Sequence, residues 1–438
     1  MPSAACQRIA GSMRPMRPMR SAATRSVDVL LVGGGVASVR CARTLRRRGF
    51  AGSILLVGEE PGIPYNRPPL TKELLRGEVD PDLIAAEPHE WYARNRVGLL
   101  ASARVMRLDP QARLAELEDG TRLRFDRCLL ATGAAPRLLP IPGFERAHLL
   151  RTLADAERIR AAATGAGAAT GPEGATAGPS VAERSVAIIG GGFIGVETAG
   201  SLASLGLQVT LLEGGDALWG GALGTPLSDW ARAALQAVGV EVRFRARASA
   251  LTVRGVWLDT ELLAADMVVA GVGVTPRLEL AEAAGLACGE PGGPATGIAV
   301  DQRRQTSAEG IFAAGDVAAV PHPIADGRRI RVEHWHAARE GGEAAALGML
   351  DLPAPTRQVP WVFSEFAGQT LDVIGWSPTW DDQLILGDPA SGRFGVAHVR
   401  DAVVRQLALV NGFADVSLAR AWIEAGPGPR ELVGFMAR

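Results

Sequence analysis

VDVLLVGGGVASVRCARTLRRRGFAGSILLVGEE, from Val27 to Glu60, has a near twin in VAIIGGGFIGVETAGSLASLGLQVTLLEGG, from Val186 to Gly215. Each opens on a short run rich in β-branched residues, which suits a strand. Each then passes three consecutive glycines into a stretch rich in Ala and Leu with helical patterning. A glycine stop follows, at Gly49 or Gly206, and a second apolar run ends in an acid, Glu59 or Glu213. Strand, glycine turn, helix and strand make a β–α–β unit, here written twice. The repeat predicts an α/β fold organised around two such units.

The glycines say what the units are for. The pyrophosphate of a dinucleotide rests on a helix N-terminus, where free N–H groups and the helix dipole favour an anion. One glycine permits the tight turn, a second lets the backbone approach the phosphates, and a third lets helix and strand pack closely. The second copy has all three, Gly190, Gly192 and Gly195, while the first has Gly33 and Gly35 with Ser38 in third place. Serine is small enough to keep most of the helix–strand contact. Glu59 and Glu213 stand where an acid would bind the hydroxyls of a ribose. Gly214 and Gly215 follow Glu213, with no arginine to receive a 2′-phosphate, so NADH is expected over NADPH. Two Rossmann-like dinucleotide-binding domains are therefore expected, one for a held cofactor and one for an exchangeable one.

Composition narrows the class. A chain of 438 residues can hold two or three domains, and a net charge of −1 gives no reason to expect nucleic acid. No apolar run approaches the roughly 20 residues of a membrane span. Cys6, Cys41, Cys128 and Cys288 lie far apart, without the spacing of a disulfide framework or a zinc site, and suit a reducing cytoplasm. His334 and His336, the only close pair of histidines, make a poor metal site, and no metal is expected. Residues 1–26 lack acids and repeat Met-Arg-Pro. Without amphipathic periodicity they read as a flexible tail, or as an upstream start with Met13, Met16 or Met19 as alternatives. Residues 161–183, built of Ala, Gly, Thr and Pro, read as a surface loop. Beyond the PAPTRQVPW break, alternating runs and the helical SLARAWIEAG predict a small α+β domain over 355–430, its core built largely by Trp361, Trp376, Trp380 and Trp422.

Further motifs carry a resemblance: PYNRPPLTKELL from Pro64, LLATGAAPR from Leu129, LRTLADAERI from Leu150, VVAGVGVTPR from Val268, GIAVDQRRQTSAEGIFAAGDVA from Gly297 and RVEHWHAAREGGEAAA from Arg331. With the two glycine turns, the chain resembles the FAD-dependent pyridine-nucleotide oxidoreductases, in the ferredoxin reductase branch, over nearly all of Val27 to Gly426. The resemblance implies a discontinuous FAD-binding domain at 27–140 and 278–348, an NAD-binding domain at 141–277 and a C-terminal reductase domain. It implies that Arg67, Val105, Thr132, Gly133 and Arg137 lie along the FAD, with Gly315 and Asp316 at its ribityl or pyrophosphate region. Lys72 would sit at the flavin's N5 edge, paired with Glu197 beside the nicotinamide. Phe193, Ile194 and Gly273 would belong to the NAD site, and Glu333 and Trp335 would line the flavin.

Lys72 is also singled out by the sequence, as the only lysine in the chain; every other strongly basic side chain is arginine. A compact ammonium can hydrogen-bond a flavin edge in a way that a planar guanidinium does not replace. No thiol pair stands early in the first unit, which excludes a dithiol–disulfide mechanism. The expected activity is transfer of electrons from NADH through tightly bound FAD to a ferredoxin-type iron–sulfur protein. An NADH oxidase or quinone-type reductase, or a redox-sensing interaction protein like apoptosis-inducing factor, are the alternatives. Where the family often has Phe-Trp-Ser-Asp, this chain has Val362, Phe363, Ser364 and Glu365. An arginine common after the NAD-selecting acid is missing in ALWGGALG.

Overall fold

The computed structural model describes residues 24–165, 180–289, 296–353 and 359–432. β1 (Thr24–Val32) leads through the first glycine turn into α1 (Val36–Arg47) and returns as β2 (Ile54–Val57). β2 pairs in parallel with β1 on one side and β3 (Val97–Leu100) on the other. β4 (Val105–Asp109) and β5 (Leu114–Leu117) form an antiparallel extension beside β6 (Arg122–Leu130), which pairs in parallel with β1. The strand order is β3-β2-β1-β6-β5-β4. Val29 to Val32 are buried on both faces of β1, which explains their unbroken apolar run. Thr24 to Ser26, expected as the end of the tail, instead extend β1 and pair with Arg122 to Arg124. The rest of the tail lies outside the described residues.

The second unit runs β7 (His148–Leu149), α2 (Leu153–Thr164), β8 (Ser185–Ile189), α3 (Phe193–Ser204), β9 (Gln208–Leu212), α4 (Thr225–Ala237), β10 (Glu241–Arg243) and β11 (Met267–Ala270). Its sheet is wholly parallel, in the order β10-β9-β8-β11-β7. Residues 161–164, read as the start of the loop, complete α2, and 166–179 lie outside the described residues. The chain then returns to the first sheet as β12 (Ile311–Ala313), parallel to β6. α5 (Trp335–Met349) follows and lies tightly on α1: a side chain at Gly342 would begin 2.1 Å from the Ala37 carbonyl.

The last unit is an antiparallel sheet of β13 (Trp361–Phe366), β14 (Gln369–Gly375), β15 (Asp382–Asp388), β16 (Arg393–Arg400) and β17 (Val403–Val410), in the order β13-β14-β17-β16-β15. α6 (Val416–Glu424), capped by Asp415, packs on it. This sheet is not an appendage. Phe366, Phe394 and Val396 share one apolar cluster with Val196 and Leu202 of α3 and Leu227 of α4. Gly200 lets α3 come this close, since a side chain there would begin 2.8 Å from the Ala367 nitrogen. None of the four tryptophans expected to build this core is fully buried. Trp361 and Trp422 pack at its margin, Trp380 stacks on His398 at 4.0 Å, and Trp376 faces a cleft.

Candidate functional site

Both glycine turns open into one cleft of about 1300 Å³, above the roughly 300–1,000 Å³ of ordinary small-molecule sites. The turns need their glycines. Gly33 and Gly190 have φ of +118° and +105°, and a side chain on either would begin within 2.5 Å of a backbone carbonyl, Ala131 or Gly271. α1 and α3 begin here with no side-chain cap and no acid in the first turn, whereas α2 and α6 are capped by Thr152 and Asp415. Two positive helix ends with orphan N–H groups thus face one cleft, an arrangement that fits the phosphates of two dinucleotides.

The charges between the turns come as pairs. Arg67 donates to Glu60 at 2.6 Å, Arg151 to Asp316 at 2.8 Å, and Lys72 to Glu197 at 2.6 Å. Arg277 pairs with Glu59, and Arg331 with Glu333. All ten side chains belong to cleft residues. Burial raises the Glu333 carboxyl above its ordinary range.

Lys72 and Glu197 form the most enclosed pair, with side chains 6% and 7% exposed. Glu197 gathers three donors: Lys72 and the Thr71 hydroxyl (2.5 Å) reach Oε2, and the Ser364 hydroxyl reaches Oε1 at 2.7 Å. Such a carboxylate is satisfied without being exposed. Ser364 comes from β13, so each of the three units contributes to this cluster. Beside it, Phe363 packs edge-on to His334 at 4.6 Å and lies 6.3 Å from Trp335. The Trp335 indole donates to Asn66 at 2.9 Å, which fixes its plane. His334 is held near pH 4, well below the ordinary histidine value, chiefly by burial.

Glu213 sits behind the second turn, its two oxygens accepting from the Gly191 and Gly215 nitrogens at 2.7 Å each. It does not face the main cleft. Nor do Ser38, Arg137, Gly190 and Gly195; every other site residue named from the sequence lines it. Ser38 is wholly buried in the packing of α1, and Gly195 presses on the Gly190 carbonyl, where a side chain would begin at 1.8 Å. The Arg137 nitrogen bonds the Gly273 carbonyl while its side chain is exposed, and Arg151 and Arg277 line this wall of the cleft. Glu60, Arg151, Arg277, Ser364 and Trp376 were missed. Arg151 and Arg277 stand inside recognised motifs, so a signal existed for them; Ser364 offered only a serine in a diverged motif. Among the described residues no group of three or more His, Cys, Asp or Glu could hold a metal, and no helix is long and apolar enough to cross a membrane.

The family model for pyridine nucleotide-disulphide oxidoreductases matches residues 27–342. A probable ferredoxin reductase of Castellaniella defragrans is 36% identical over 384 residues, covering 86% of this chain and 88% of that protein. The ferredoxin–NAD(+) reductase component of the biphenyl dioxygenase system of Paraburkholderia xenovorans is 35% identical, covering 89% and 91%. Among solved structures, the covalent putidaredoxin reductase–putidaredoxin complex superposes with a TM-score of 0.84 at 28% identity, covering 93% of this chain and 95% of that one.

Proposed function

The chain belongs to the pyridine nucleotide-disulphide oxidoreductase family, in its ferredoxin reductase branch, and on that footing we propose that it passes electrons from NADH through FAD to a small iron–sulfur protein serving an oxygenase. The observation that carries this reading is the Lys72–Glu197 pair, buried where two uncapped helix ends open into a common cleft.

On this reading 27–140 and 278–348 hold FAD, 141–277 hold NADH, and 355–430 form the third domain. Glu59 and the Gly33–Gly35 turn take the adenosine and pyrophosphate of FAD. Arg67, Val105, Thr132, Gly133, Gly315, Asp316, Glu333 and Trp335 lie along it. The turn from Gly190 to Gly195, with Phe193, Ile194, Glu213 and Gly273, takes NADH. Bound FAD would supply a hydride acceptor that can pass electrons on singly. Glu197 anchors Lys72, whose ammonium would face the flavin edge and offset the negative charge of its reduced form. Phe193 and Ile194, at the start of α3, line the same cleft. Among the described residues no cysteine lines the cleft, which favours an external acceptor over an enzyme dithiol. Free, unpaired thiols suit a cytoplasmic setting.

The test is cytochrome c reduction by the purified yellow protein, with NADH, with and without a [2Fe–2S] ferredoxin. Ferredoxin should raise the rate many-fold. Fast consumption of NADH with oxygen or quinone, and no gain from ferredoxin, would replace this reading by that of an oxidase or quinone reductase.

A further inference from the structure

No arginine follows Glu213 in sequence, yet the fold delivers arginines to its side. β10 runs parallel to β9, and the pairing continues past both strands. The Ala246 nitrogen donates to the Glu213 carbonyl at 3.0 Å and the Arg245 nitrogen to the Gly215 carbonyl at 2.9 Å. Residues 245–247 are thereby laid along 213–215.

The side chains differ in what occupies them. Arg243 pairs with Glu241 and Glu261, and Arg245 pairs with Asp216. Arg247 has no carboxylate partner among the described residues; its Nε donates to the Gly214 carbonyl at 3.2 Å. Its Cγ lies 3.2 Å from the point where a side chain on Gly214 would begin. The guanidinium therefore covers the residue next to Glu213 with most of its donors uncommitted. Glu213, for its part, already accepts two backbone N–H groups, which soften its repulsion of an anion.

Taking the second turn as the nicotinamide-dinucleotide site proposed above, we infer that Arg247 receives a 2′-phosphate, so that this pocket takes NADPH as well as NADH. Glu213 serves the ribose diol of NADH. A phosphate on the 2′ oxygen would project past Glu213 toward residue 214, where a planar guanidinium can hold it through two donors. Because Arg247 is exposed, its effect is moderate and falls with salt.

The test compares kcat/KM for NADH and NADPH in the wild type, Arg247→Ala and Arg247→Lys, with calorimetric binding of 2′,5′-ADP and 5′-AMP. Arg247→Ala should lower kcat/KM for NADPH by about fivefold and leave NADH within about twofold. Its affinity for 2′,5′-ADP should fall in step while 5′-AMP is unaffected, and Arg247→Lys should recover part of the loss. Equal losses for both nucleotides, an unchanged ratio, or a wild type that does not bind 2′,5′-ADP would overturn the inference. Arg247-dependent binding of 2′,5′-ADP by a protein that oxidises neither nucleotide would uphold it and sink the function proposed above.

Discussion

Lys72 and Glu197 show how much a single buried pair can be asked to do. Their attraction is strong because burial screens them from most water, and the same burial makes either charge costly alone. Lys72→Met leaves Glu197 facing only the Thr71 and Ser364 hydroxyls, and should destabilise the fold by about 3–5 kcal/mol. Adding Glu197→Gln removes the stranded charge and should recover much of that loss, while flavin reduction by NADH stays slowed by roughly 10²-fold in both variants. Urea unfolding and stopped-flow reduction read the two quantities separately. If the double variant is no more stable than Lys72→Met, the stranded-charge account is wrong; unchanged reduction kinetics would remove Lys72 from the site. Lys72 was legible because lysine occurs nowhere else in the chain. Ser364 was not, because a serine's value here depends on a carboxylate that only the fold brings to 2.7 Å.

At the scale of elements, the twin β–α–β units were legible because every part of the pattern is local: apolar strand, glycine turn, uncapped helix, terminal acid. Their difference has a physical consequence. At Gly195 the helix is so close to the turn that a side chain would begin 1.8 Å from the Gly190 carbonyl, whereas Ser38 already occupies the matching place in the first unit. Gly195→Ala must therefore push α3 away from its turn, and Glu197 lies on that helix. A strain of about 1–3 kcal/mol expressed in the NADH complex corresponds to a rise in KM of about 5- to 150-fold, with flavin content unchanged. Ser38→Gly should cost the fold only the roughly 0.5–1 kcal/mol of a glycine within a helix and leave KM alone. Titrating NADH against both variants checks this, and an unaltered KM for Gly195→Ala would show that the close contact is not needed. Arg247 marks where such reading ends. It reaches Gly214, next to Glu213, only because β9 and β10 are parallel neighbours, and strand order is not written beside either residue.

Across the whole molecule, the C-terminal sheet is bound to the rest by a shared apolar core and by polar contacts that include two histidines, His398 buried and His334 half-buried. His334, at the start of α5, has its Nε2 3.3 Å from the Phe363 carbonyl on β13, and its Nδ1 accepts from the His336 nitrogen. His398, on β16, bridges Gln383 and Gln406 at 2.8 and 2.9 Å, and Gln383 reaches the Leu223 carbonyl just before α4. Burial is the main reason that both titrate near pH 4 in the folded chain, against 6.5 ordinarily. Each is thus neutral when folded and protonates more readily when unfolded. The stability this neutrality protects is complete above about pH 6.5 and is lost as the pH falls toward 4, by at most about 1.4 kcal/mol per pH unit for each histidine. The urea midpoint should therefore fall steeply between pH 6.5 and 4. His398→Gln, which cannot take up a proton, should lower stability at pH 8 yet flatten that slope by about one proton's worth. A variant whose midpoint falls as steeply as the wild type's would show that this histidine is not one of the groups through which acid loosens the C-terminal sheet. Because β13 carries Ser364 to Glu197, loosening it in acid should also slow flavin reduction by NADH, and the slowing should follow the stability curve.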